Sequence, residues 1–196
     1  MRIIAGSSKG KSLFSPTGKT RPTSDRAREG LFSSLESEFG SMSELNFLDL
    51  FAGSGAVGVE ALSRGVSLVD AVESNATSAK VSEKNFALIA NLDGVGRFKV
   101  HEKTVFEFLN HTAAGSYEII YIDPPYEVEN SEVEKILKKI LTLGLLSKFG
   151  VVAIERDAKA KVFSWPVGLS EAKVRSYGAG AIHYGVLSEP NRSENG

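Results

Sequence analysis

The chain has 196 residues with a formal net charge of −1, 42% hydrophobic and 24% charged residues, and no cysteine. These values fit one globular domain that can bury a core unaided, and they exclude disulfide scaffolds, zinc ribbons, iron–sulfur clusters and thiol nucleophiles. No apolar run reaches the ~18 residues of a membrane span. Met1-Arg-Ile-Ile-Ala-Gly6 is too short an apolar start for a signal peptide, so a cytoplasmic protein is expected.

The mean charge conceals an asymmetry. Residues 1–30 hold seven Lys or Arg against Asp25 and Glu29, a net +5, which leaves 16 basic and 22 acidic residues, or −6, for the remainder. A basic beginning on a mildly acidic body suggests a phosphate-rich partner held at one end. The alternative is a solvated extension.

Residues 1–22 read as a short β-hairpin or arm. Arg2-Ile-Ile-Ala5 and Lys11-Ser-Leu-Phe14 flank a turn through Gly6 and Gly10, and Pro16, Gly18 and Pro22 punctuate the stretch after Phe14. A helix is predicted from about Ser24 to Phe39, with Thr23 as N-cap, Asp25 in its first turn and Gly40 as its stop. On it, Leu31, Leu35 and Phe39 share a face with Ala27 and Arg28.

From residue 45 strands and helices alternate. Strands are predicted at 45–51, 67–72, 97–100, 117–122 and 151–154. Helices are predicted from the glycine-rich turn through Val59 and Leu62 to near Gly65, at 76–90, at 105–109 and at 132–141. Residues 173–177 and 182–187 read as a closing hairpin around Gly178-Ala-Gly180, and 189–196 as a flexible polar tail. The alternation implies an α/β domain over 23–188 with a mostly parallel sheet, and ligands in such sheets bind beyond the carboxyl ends of the strands.

Two motifs lie where that rule puts them. After the first of these strands comes Asp49-Leu-Phe51-Ala-Gly53-Ser54-Gly55-Ala-Val-Gly58, a literal G-x-G-x-x-G between strand and helix, and Glu73 ends the next strand. Glycines there admit a close ligand, and an acid at that distance suits ribose hydroxyls. Asp49 would repel a pyrophosphate but favours an ammonium or sulfonium, which points to S-adenosylmethionine. The second motif is Asp123-Pro124-Pro125-Tyr126, after the strand at 117–122. Prolines remove N–H donors and leave carbonyls, a combination suited to a planar amino group. An Asp carboxylate and a Pro carbonyl can each accept one N–H of an exocyclic amine, and Tyr126 offers a face for the base to stack on. A base held so must leave its own stack.

These motifs resemble the amino-methyltransferases that use S-adenosylmethionine. Met1-Arg-Ile-Ile-Ala-Gly6 with Lys9-Gly10-Lys11, and Arg21-Pro-Thr-Ser-Asp-Arg-Ala-Arg-Glu29 with Leu31-Phe32, narrow the resemblance to the RsmD family up to about Leu187. The resemblance implies a Rossmann-like class I methyltransferase fold, seven-stranded with the last strand antiparallel. It also implies methylation of the N2 of one guanine in bacterial 16S rRNA, in the context of the small ribosomal subunit. Thr23 and Asp25 would border the methionine end of the cofactor. Asp49, Phe51, Gly53, Ser54 and Gly55 would surround its amino-acid part, and Glu73 would hold its ribose. Members often carry an acid or amide after the third strand, near the adenine; here Lys103-Thr104 stands there, so Thr104 or a backbone group substitutes. Asp123, Pro124, Pro125 and Tyr126 would form the catalytic motif, with Asp123 and Pro124 holding the guanine amine. Lys9, Lys11, Arg21, Arg26 and Arg28 would meet RNA phosphate or frame the site.

Rival readings remain. An amino-methyltransferase of DNA adenine or of a protein amide would use the same Asp-Pro-Pro-Tyr geometry. The glycine fingerprint alone also fits a nicotinamide-dependent oxidoreductase. Gly6-Ser-Ser8-Lys-Gly10 spells a hydrolase elbow, and residues 5–12 nearly spell a Walker A loop, but no helix comes after either. His101, His111 and His183 lack ligand spacing, so no metal is expected, and a monomer is expected.

Overall fold

The structure is a computed structural model that describes residues 1–15, 25–112, 115–160 and 163–188. Thr23 and Arg21, and the tail 189–196, lie outside the described residues. The elements run as α1 (Asp25–Phe39), β1 (Asn46–Asp49), α2 (Ala56–Ser63), β2 (Leu68–Glu73), α3 (Ala76–Ala87), β3 (Arg97–Glu102), α4 (Val105–His111), β4 (Tyr117–Ile122), α5 (Asn130–Thr142), β5 (Leu146–Asp157), β6 (Leu169–Tyr177) and β7 (Gly180–Leu187). The strands form one seven-stranded sheet in the order β3-β2-β1-β4-β5-β7-β6. Pairing is parallel from β3 to β5, whereas β7 is antiparallel to both β5 and β6. This is the class I methyltransferase topology, with the last strand inserted between its two predecessors.

Side chains alternate between the faces of the buried strands, so each strand feeds two cores. Phe47 of β1 and Ile119 and Tyr121 of β4 join Leu31, Phe32 and Leu35 of α1, Val57 and Leu62 of α2 and Phe86 of α3. Leu48, Ile120 and Ile122 join Phe108 of α4 and Val133, Ile136, Leu137 and Ile140 of α5 on the other side. β5 is longer than the predicted 151–154. It starts at Leu146, and its register with β4 shifts between Tyr117 and Ile119, which lets the polar Ser147-Lys148 stretch stay within the strand.

The beginning is a hairpin docked on the body. Arg2 bridges Ser12, Ile3 N–H donates to Lys11 O at 2.9 Å, and Leu13 N–H donates to Met1 O at 2.9 Å. Ile3 and Leu13 are buried in the same core as α1 and α2. Glu60 of α2, itself buried, accepts the N–H groups of Ile4 and Ala5 at 2.7 and 2.9 Å, and Ser63 Oγ accepts from Ser8 N–H at 3.0 Å.

Contrary to the expectation from its charge, Arg28 is no phosphate contact: its side chain has 0% exposure. Its Nη2 donates to Arg2 O at 2.7 Å and to Asp25 at 2.8 Å, and its Nε lies 3.8 Å from Glu60. Burial lowers its pKa, and the carboxylates of Glu60 and Asp25 oppose that shift. Arg28 fastens the hairpin to α1 and α2.

Candidate active site

The chain runs outward from β1 through β2 to β3 and then returns to β4 on the other side of β1, so the switch point lies between β1 and β4. Asp49 is paired in register with Tyr121, which puts Asp123 two residues beyond it on the neighbouring strand. Both sequence motifs therefore open into one crevice.

Asp49 is fully buried, and neither carboxylate oxygen has a hydrogen-bond partner of good geometry. Burial pushes its pKa up to about 8; the charge of Asp123 adds to the rise, the Phe51 backbone N–H opposes it, and Glu73 adds a smaller contribution. The same electrostatics reach Tyr121. Burial and then Asp123 raise its phenol well above the usual value, while its hydroxyl donates to Glu155 at 2.7 Å. A buried, unpaired carboxylate among other acids is a costly arrangement that a cation would relieve.

The turn from β1 to α2 is held from several sides. Gly53 N–H donates to Glu73 Oε2 at 2.8 Å, and Asn75 N–H to its Oε1 at 2.7 Å. Gly55 N–H donates to Ala52 O at 2.7 Å, and Ser54 O accepts from Asn85 Nδ2 at 2.9 Å. Gly53 and Gly55 have φ of 54° and 74°, the left-handed region that disfavours other residues. Nothing lies within 4 Å of where a Cβ on Gly53 would stand, so the turn leaves open space there, whereas a Cβ on Gly55 would strike Ser82. Gly58 lets Phe86 and Val69 pack against the helix backbone. Phe51 is half-buried and packs toward the α4–α5 core.

Asp123 is half-buried, Pro124 buried, Pro125 exposed, and Tyr126 60% exposed. Val128 N–H closes on Pro125 O at 3.0 Å. Arg156 of β5 donates from Nη2 to Val128 O at 2.9 Å and to Asn130 at 3.2 Å. A residue the sequence reading missed thus braces the loop after the motif; an arginine just past the apolar run Val151-Val-Ala-Ile154 was its signal.

Thr104 is exposed and serves as the N-cap of α4. Its Oγ1 accepts from Glu107 N–H at 3.2 Å and its own N–H donates to the Glu107 carboxylate at 2.8 Å, a capping box, and Oγ1 also donates to that carboxylate at 2.7 Å. Lys9 and Arg26 meet Arg2, Asp25 and Glu29 around a groove of about 340 Å³ beside the hairpin. Asp25 pairs with Arg28 there, and the exposed Lys11 donates to Leu88 O at 3.2 Å. The histidines have structural partners: His101 with Asp70, His183 with Glu171, and His111 with the Glu107 carbonyl.

Comparison with known proteins decides the family. Residues 1–186 match the family described as Conserved hypothetical protein 95. YlbH of Bacillus subtilis (strain 168), named as a candidate rRNA methyltransferase, is 32% identical over 186 residues, covering 91% of this chain and 94% of its own.

The chain belongs to the RsmD family.

A further relative in the family is Ribosomal RNA small subunit methyltransferase D of Escherichia coli (strain K12), 27% identical over 100% of this chain and 93% of its own. Among solved structures, the candidate methyltransferase yhhF from Escherichia coli superposes with a TM-score of 0.80 at 26% identity, covering 96% of this chain and 99% of that one. A hypothetical protein of Thermus thermophilus gives 0.77 at 27% identity over 96% and 99%. The fold expected from the sequence is the one found.

Proposed function

We propose that this protein methylates the exocyclic N2 of one guanine in 16S rRNA, presented within the small ribosomal subunit. Its membership of the RsmD family makes it an S-adenosylmethionine-dependent rRNA methyltransferase; the guanine N2 and the subunit context are the finer reading. The observation that carries it is the meeting of the buried, unpaired Asp49 at the end of β1 with Asp123-Pro124-Pro125-Tyr126 at the end of β4.

The residues present suit the cofactor. Asp49 offers the unpartnered buried carboxylate that an α-ammonium group needs. Gly53, Ser54 and Gly55 allow close approach, and Phe51 flanks them. Each Glu73 oxygen already accepts one backbone N–H and keeps capacity for a ribose hydroxyl. Thr23 and Asp25 are assigned to the methionine end. Thr104 is assigned beside the adenine, at the start of α4, where its hydroxyl and its backbone N–H both bond to Glu107. When bound, S-adenosylmethionine supplies an electrophilic methyl group.

Asp123 and the Pro124 carbonyl accept the two N–H bonds of the guanine amine, which fixes the direction of its nitrogen lone pair. Pro125 stiffens the turn, and the exposed face of Tyr126 stacks on the flipped base. The help is chiefly orientation, with Asp123 or water accepting the proton released from nitrogen. Lys9, Lys11, Arg21 and Arg26 neutralise RNA phosphates.

Transfer of labelled methyl from S-adenosylmethionine tests this reading. Small subunits lacking the modification, free 16S rRNA and duplex DNA are compared, with Asp123→Ala in parallel. Label recovered as N2-methylguanosine from subunits, and lost in the variant, is the expected result. Label in DNA, or in another nucleoside, overturns the substrate assignment.

A further inference from the structure

The geometry points to Asn85 as a positioning residue that couples the N-terminal segment to the glycine-rich turn, so that occupancy of one is felt at the other. The inference rests on the assignment of that turn to the cofactor. Asn85 sits on α3, fully buried, and every polar atom of its side chain is engaged. Its Oδ1 accepts Phe14 N–H at 2.8 Å, and its Nδ2 donates to Phe14 O at 3.0 Å and to Ser54 O at 2.9 Å. An amide has two donors and one carbonyl acceptor, and only this orientation satisfies all three bonds.

The two partners are remote in sequence and different in role. Ser54 lies between Gly53 and Gly55, and its carbonyl belongs to the peptide whose N–H is held by Ala52 O. Asn85 therefore fixes the second end of the peptide that shapes the turn. Phe14 comes after Lys9 and Lys11 and precedes Arg21 and Thr23 in the chain. Bonding both the N–H and the carbonyl of Phe14 treats that residue as a paired strand would. Lys11 adds a contact to the Leu88 carbonyl just beyond α3, and Glu60 and Ser63 hold the preceding hairpin on α2. A displacement of the N-terminal segment by RNA thus reaches the turn through one side chain, and coupling between ligands must be reciprocal.

Asn85→Asp keeps the shape and replaces two donors with an acceptor that faces two carbonyls. S-adenosylhomocysteine binding is measured by calorimetry with and without 16S rRNA, alongside steady-state kinetics; Ile136→Val, buried on α5, serves as a packing control. We expect KM for S-adenosylmethionine to rise at least tenfold, kcat at saturation to fall less than threefold, and the effect of RNA on cofactor affinity to vanish. The control should leave all three unchanged. Wild-type affinity and wild-type coupling in a folded Asn85→Asp protein would overturn the inference. Should that variant not fold, amide exchange on the native chain decides: S-adenosylhomocysteine must slow exchange at Phe14, and unchanged exchange there refutes the link. If the native chain fails to bind S-adenosylhomocysteine at all, it is the cofactor assignment that falls.

Discussion

Cofactor binding should release a proton, and Asp49 is the source. Without ligand its carboxyl titrates near 8 instead of its ordinary 3.8, chiefly because it is buried. The folded chain therefore holds a proton that the unfolded chain gives up between those pH values. Its stability is fully present below 3.8 and falls as pH rises toward about 8. At ~1.4 kcal/mol per pH unit, that interval amounts to on the order of 6 kcal/mol. An ammonium beside Asp49 needs the ionised form, which is about one molecule in a thousand at pH 5 and about one in ten at pH 7 for a group titrating near 8. Affinity for S-adenosylmethionine should thus rise about 100-fold from pH 5 to pH 7, below the range where an α-amino group loses its own proton. Calorimetry in buffers of different ionisation enthalpy should report release of close to one proton per site. Asp49→Asn should bind more weakly at pH 7, lose the pH dependence, and melt at a higher temperature than the native chain at pH 8. Flat affinity between pH 5 and pH 7, or an unchanged slope in Asp49→Asn, would refute the reasoning.

Other perturbations separate the roles of neighbouring groups. Asp123→Asn should cut turnover by orders of magnitude yet leave cofactor affinity at pH 6 equal or slightly higher, since it removes a charge that raises the Asp49 pKa; a lost binding isotherm would make Asp123 a cofactor ligand instead. The double variant Lys9→Ala with Lys11→Ala should weaken RNA binding uniformly and make its salt dependence shallower by about two phosphate contacts. Filter binding at several salt concentrations reads this, and an unchanged slope removes both lysines from the interface. Gly6→Ala should destabilise the protein by more than ~2 kcal/mol, because a Cβ there would overlap the Ser63 backbone in a turn of φ 81°, and such strain is not relieved by a rotamer change. Thermal denaturation would expose the error if Gly6→Ala melted with the native chain.

What is legible in the sequence is local. The predicted β4 matches to the residue because Gly115-Ser116 precedes the apolar run and Asp123-Pro124-Pro125 ends it. The glycine turn and the strand-end acids are visible because their spacing reflects the βαβ unit itself. Partners more than fifty residues apart are not. Glu60 lies in Ala-Val-Gly-Val-Glu-Ala-Leu-Ser, an almost wholly apolar helix, and that isolation is a readable sign of burial; its bonds to Ile4 and Ala5 are not. Helical spacing puts Arg28 on the same face as Leu31 and Leu35, and the face is right while the expected exposure is wrong. Its charge suggests RNA, but the fold uses it against a backbone carbonyl and two carboxylates. Asn85 carries no signal, since a polar residue within a helix ordinarily faces water.

The order of the sheet also constrains how the chain is made. Until β7 exists, Val151-Val-Ala-Ile154 of β5 has no neighbour on one side, and β6 has nothing to pair with. During synthesis the parallel half can assemble first, leaving that apolar strand as an open edge, the kind of template on which chains add to one another. The hazard lasts only as long as the ribosome takes to reach Leu187. Slowed translation of the final two strands, or a stop before Gly180, should therefore yield aggregated protein before it yields inactive soluble protein.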